Sequence, residues 1–140
     1  MKYRKIGNSY VIRLEKGEKV MEKLEEFCRK ERIRSGHFSG IGGLGEAEIA
    51  HFSMEDKEYH SKVFGGALLE LISFLGSVTV SEGKIKIHAH VMIGDKEFRT
   101  FGGHLIEGTV LPTCEIVFTP FGETIERKPD EETGLALLDL

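Results

Sequence analysis

Tryptophan is absent, prolines number three, and the only two cysteines, Cys28 and Cys114, stand far apart in the chain. Two isolated thiols exclude the cysteine-dense framework of a small secreted scaffold and the paired CxxC spacing of a zinc ribbon, so both are expected to be buried thiols. No apolar run approaches the roughly 20 residues needed to span a bilayer. The N-terminal "MKYRKIGNSYVIRLEKG" has Lys and Arg but neither the continuous apolar stretch nor the small-residue cleavage site of a signal peptide. The expected location is therefore the cytoplasm. An excess of positive charge is missing too. With a net charge of −4 and a pI near 5.9, the overall field does not attract nucleic acid, whose binding needs clustered Lys and Arg to displace counterions. Direct DNA contact would require a local patch.

What is present is enough for one hydrophobic core. The 140 residues, 40% apolar and 30% charged, fit a single soluble domain, because domains typically run to about 100–150 residues. The expected organisation is one domain over 1–130 and a tail over 131–140, polar at first and apolar at its end, either frayed or docked on a neighbouring subunit. From Glu18 to about Arg32, Val20, Met21, Leu24, Phe27 and Cys28 recur at helical spacing among charged residues. That pattern predicts one amphipathic helix.

Elsewhere the apolar period is two. A hairpin turning at Gly7-Asn8 opens the chain, and short β-like segments follow the helix, separated by Gly, Asp or Ser-Glu-Gly turns. The predicted fold is a single α/β (α+β) domain with a largely antiparallel sheet of about seven strands. "VSEGKI" and "IGDKEF" are compact enough to be hairpin turns, which places strand 84–93 between two paired neighbours.

"GIGGLG", Gly40 to Gly45, matches the dinucleotide fingerprint GxGxxG by letter. That fingerprint works by seating pyrophosphate at the start of a helix, whereas "EAEIAHF" follows here and alternates like a strand. A glycine-rich bend where strands cross closely is the better reading.

Chemistry concentrates in "KIKIHAHVMIGDKEFRTFGGHLIEG". By strand parity Ile85, Ile87, Ala89, Val91 and Ile93 share one face, and Lys84, Lys86, His88, His90 and Met92 share the other. His88 and His90 thus point away from the core, about 6.6 Å apart along the strand. His104 follows a Gly-Gly pair that admits close backbone approach, a short hairpin away. Three imidazoles with a free fourth position form a recognised zinc site. The alternative is a solvated cationic strand face with His104 capping a turn. Glu70, inside the doubly apolar "ALLELISFLGSVTV", either needs a buried partner or reaches water at a strand end. Glu115 faces away from Cys114, Ile116 and Phe118, and could join Glu70 as a further ligand or orienting group. His37, His51 and His60 show no grouping, and no Ser-His-Asp or Cys-His arrangement is evident.

The run "LLELISFLGSVTVSEGKIKIHAHVMIGDKEFRTFGGHLIEGTVLPTCEIVF", the later "IERKP" and the earlier "GHFSGIGGLGEAEIAHF" resemble the PPC (plants and prokaryotes conserved) domain across nearly the whole chain. The resemblance implies a homotrimer, which would account for a strand apolar on both faces. It also implies that the histidines mark the stand-alone prokaryotic type. Together with the strand parity, the expected site is His88, His90 and His104 holding Zn²⁺ or a small anionic ligand at or near subunit interfaces. Plant members carry AT-hooks ahead of the domain. This sequence has no such motif, and where the plant motif reads Gly-Arg-Phe-Glu-Ile-Leu it has Ala67 to Ile72, without the Arg. A DNA-associated regulatory or scaffolding role is the alternative that the family suggests. Whether the domain catalyses a reaction is left open by its residues.

Overall fold

A computed structural model describes residues 1–140. The chain opens with the antiparallel hairpin β1 (Lys2–Ile6) and β2 (Ser9–Glu15), then forms α1 (Val20–Glu31). Val20, Leu24, Phe27 and Cys28 are its buried stripe, at the i, i+4, i+7, i+8 positions that share one helical face. Lys19 offers no side-chain cap. The carboxylate of Glu107 does this instead, accepting the backbone N–H of Met21 at 2.9 Å and of Glu22 at 3.3 Å. At the other end Arg32 adopts the left-handed conformation, and the Ile33 N–H closes back on the Cys28 carbonyl at 2.9 Å.

Six further strands complete the sheet: β3 (Gly36–Ser53), β4 (Glu58–Ser81), β5 (Lys84–Gly94), β6 (Thr100–Pro120), β7 (Glu126–Pro129) and β8 (Ala136–Asp139). The main path runs β1-β2-β6-β3-β4-β7-β8, and β5 bridges β4 and β6, so β3, β4, β5 and β6 form a closed circuit of pairing. All pairings are antiparallel except β4 with β7. The predicted hairpin turns are both found, and strand 84–94 does lie between two partners.

The sheet has eight strands rather than about seven, because the tail supplies one. Within residues 131–140, Ala136–Asp139 pairs with β7 of the same chain, leaving Leu137 and Leu138 half-exposed. Glycine clusters that look like turns in the sequence are absorbed as irregularities within long strands. β3 runs straight through "GIGGLG", with register shifts between Gly40 and Gly42 and between Leu44 and Glu46. A Cβ on Gly40 would stand 2.7 Å from the Glu115 carbonyl oxygen, so close strand approach explains this glycine.

Phe27, Phe38, Phe74 and Phe118 anchor the core between α1 and the sheet. Phe27 meets Phe118 edge-on at 5.5 Å, and Phe38 lies 4.9 Å from Phe74. β4 buries Leu69, Leu71 and Phe74 on this side, while Leu68, Ile72 and Leu75 remain exposed on the other. The second apolar face is therefore real and has no cover within one chain. No helix is long and apolar enough to cross a membrane.

Candidate metal centre

β5 alternates as its sequence demands: Ala89, Val91 and Ile93 are buried, while Lys84, Lys86, His90 and Met92 are exposed and His88 is half-buried. His90 lies directly opposite His104 in the β5–β6 ladder. The tight connection sets that register. Asp95 accepts the N–H groups of Glu97 at 2.9 Å and Arg99 at 3.0 Å, and the Arg99 Nε–H at 2.8 Å. A slip of one residue would turn His104 into the core. Gly103 performs the second task, since a Cβ there would stand 2.7 Å from the Ala50 carbonyl oxygen. Glycine at this position lets β3 close on β6 at the point where His104 projects.

The three rings form a nearly equilateral triangle, with centroids 5.1, 5.2 and 5.6 Å apart. One nitrogen from each falls within 4.8 Å of the others, and His88 Nε2 lies 3.3 Å from His90 Nε2. Tetrahedral zinc with Zn–N near 2.0–2.1 Å separates its nitrogen ligands by about 3.3 Å. That edge of the coordination polyhedron is already present. The Nδ1 of His104 is buried without any hydrogen-bond partner, a polar atom whose desolvation is uncompensated in the protein alone. The donor set fits a borderline cation such as Zn²⁺.

Electrostatics favour the ligand-competent state. Burial, reinforced by the neighbouring His88 and His90 and by Lys86, pulls the pKa of His104 down to about 4. Burial also lowers His88, with Arg127, His90 and Lys86 adding to the effect. Both rings are neutral near pH 7, the form in which imidazole binds metal.

Glu70 and Glu115 do not stand with the histidines. Both are exposed and line a separate open pocket with Ile41, Leu68 and Ile72. Glu70 thus takes the solvent-reaching alternative, because its side chain emerges on the uncovered face of β4. His37 lies against Phe121, and His60 bonds Asp56 at 2.7 Å. His51 sits opposite His60. Cys28 and Cys114 are buried thiols, pushed by burial up to about 12 and therefore unreactive.

Two residues beside the cluster were not singled out by sequence reasoning. Tyr59 on β4 places its ring 4.9 Å from that of His104 and meets Phe52 at a steep tilt, 5.0 Å away. Arg127 on β7 lies near enough to disfavour protonation of His88. Both come from distant parts of the chain, and only the long strand pairing brings them here.

The family model for the Plants and Prokaryotes Conserved (PCC) domain matches residues 1–122. A plant- and prokaryote-conserved (PPC) protein of Pyrococcus horikoshii is 38% identical, with a TM-score of 0.87 over 99% of this chain and 95% of that one. A metal-containing protein of Archaeoglobus fulgidus is 34% identical, with a TM-score of 0.88 over the full length of both. A candidate DNA-binding protein of Bacteroides thetaiotaomicron is 28% identical, with a TM-score of 0.95 over 99% and 96% of the two chains. Among curated sequences, the bifunctional protein GlmU of a Synechococcus strain is 30% identical over 128 residues, 89% of this chain, which spans only 19% of that protein. The match over residues 1–122, joined to full-length structural likeness, shows that this chain belongs to the Plants and Prokaryotes Conserved domain family.

Proposed function

We propose that this protein is a homotrimeric metal-binding module of the cytoplasm, in which His88, His90 and His104 hold a divalent cation, Zn²⁺ by ligand preference. The convergence of three imidazoles on one outward strand face carries this reading. The metal-containing relative from Archaeoglobus fulgidus supports it. Three protein nitrogens leave a fourth position for water or a small anionic ligand. The trimer rests on the uncovered face of the sheet, where Ile41 is 60%, Leu75 56%, Val117 49% and Ile72 47% exposed. Contiguous apolar surface of this kind marks an interaction site. The cytoplasmic assignment rests on two free, buried thiols.

Metal analysis of protein purified without an affinity tag tests the site. One equivalent of zinc per chain, lost on His88→Ala, is expected. Protein that neither retains nor takes up zinc contradicts the reading.

A DNA-associated regulatory or scaffolding role is the second reading, supported by relatives described as candidate DNA-binding proteins. The net charge of −4 opposes direct binding. A low-salt gel-shift titration separates the two, and no retardation at micromolar protein is expected.

A further inference from the structure

Arg127 is a half-buried cation without a counter-ion. Its Nε–H donates to Thr79 Oγ1 at 2.9 Å, and an Nη1–H donates to the Ala136 carbonyl at 2.7 Å. No carboxylate forms an ion pair with it. Two of its five N–H groups are thus fixed to the protein and three are left, including both on Nη2. Burying a guanidinium without an anion is costly, and the burial is strong enough to pull its pKa downward.

Its position follows from the strand register. Thr79 faces Lys86 across the β4–β5 ladder, and Ser77 faces His88. His88 therefore lies on the same outward face, one strand repeat of about 6.6 Å beyond the pair that anchors Arg127. Two β-strand anchors hold the guanidinium: β4 through Thr79, and the C-terminal β8 through Ala136. Tyr59, within electrostatic reach of Arg127, lies beside His104 and forms an aromatic wall with Phe52. The near surroundings of the three rings thus hold Lys86, Arg127 and two aromatic rings, and the ion-binding cluster includes no acid.

We infer that the centre takes a small organic carboxylate, one oxygen occupying the open position of the metal and the other accepting from the free edge of Arg127, with the Tyr59–Phe52 wall beside its carbon skeleton. The inference rests on the metal reading above and names the ligand class for the same site. Arg is suited to this task because its planar fork matches a carboxylate. The aromatic wall distinguishes an organic acid from inorganic phosphate, which gains nothing from an apolar flank.

The test uses the intact protein loaded with Co²⁺, whose visible bands report both tetrahedral nitrogen ligation and exchange at the fourth position. Acetate, benzoate, neutral acetamide and inorganic phosphate are titrated in turn. Acetate and benzoate should shift the bands and acetamide should not. Benzoate should bind more tightly than phosphate, and Tyr59→Ala should erase that preference. Arg127→Gln should weaken carboxylate binding by about 10- to 100-fold, the loss expected for a hydrogen bond to a charged group, without changing cobalt stoichiometry. Should Arg127→Gln fold poorly, Arg127→Lys keeps the charge without the fork and should bind with intermediate strength. Normal cobalt bands with no carboxylate response, an equal response in Arg127→Gln, or phosphate binding as tightly as benzoate overturns the inference and leaves the metal site standing. Absence of cobalt bands overturns both.

Discussion

His90 on β5 and His104 on β6 are direct partners across an antiparallel ladder, and Gly103 beside them is pressed against the Ala50 carbonyl of β3. The histidine cluster is therefore a property of strand register and close packing rather than of loop conformation. Gly103→Val tests this. A side chain at that position must displace backbone, and such overpacking costs about 1–3 kcal/mol. The thermal midpoint should fall by about 3–10 °C, and zinc stoichiometry should fall with it. Unchanged zinc content in a folded Gly103→Val protein would separate the site from the register.

His104 makes stability depend on pH in a defined direction. Its folded pKa, about 4, lies below the unfolded imidazole value of about 6.5. At low pH the unfolded chain consequently binds more protons. The contribution is fully present above pH 6.5 and is lost as pH falls through the window down to about 4. For a partly buried ring this amounts to about 2 kcal/mol. Urea unfolding of metal-free protein at intervals from pH 7.5 to 4 should show the decline, and His104→Phe should flatten it.

Glu107 caps α1 from β6, joining two elements that are remote in sequence. Glu107→Ala leaves two helix N–H groups unsatisfied and should destabilise the fold by about 1 kcal/mol. Denaturant titration measures this, and zinc stoichiometry should not change.

Leu75 lies beside the cluster, opposite His90 on β4, and belongs to the uncovered apolar face. In the homotrimer reading, Leu75→Asp places charge in the interface. Sedimentation velocity should show wild type at three times the 15.7 kDa chain mass and Leu75→Asp as a monomer. A monomeric wild type would contradict the trimer.

The histidine cluster was legible in the sequence because a strand side-chain period of two needs no tertiary information. His88 and His90 follow from parity alone, and a short hairpin with a Gly-Gly pair indicates His104. Helix α1 was equally plain from its single apolar stripe. Glu70 was ambiguous because β4 is apolar on both faces, and only the structure shows which face the chain covers. Strand lengths were not legible, since glycines that signal turns were accommodated as bulges in β3. Tyr59 and Arg127 carry no local signal; they reach the site through β4 and the parallel β4–β7 pairing, contacts that a one-dimensional pattern does not contain. The strand in the tail was not legible because a four-residue element such as Ala136–Asp139 has too short a pattern to distinguish from coil.

X-ray absorption at the zinc edge, on tag-free protein loaded with one equivalent of Zn²⁺, tests the central claim most directly. The expected spectrum has a shell of about four light ligands near 2.0–2.1 Å, with imidazole scattering from three histidines and no sulfur contribution. Replacing His90 with Ala should remove one imidazole or abolish binding. A spectrum of fully hydrated zinc, or one identical in wild type and His90→Ala, would show that the three rings do not hold the metal.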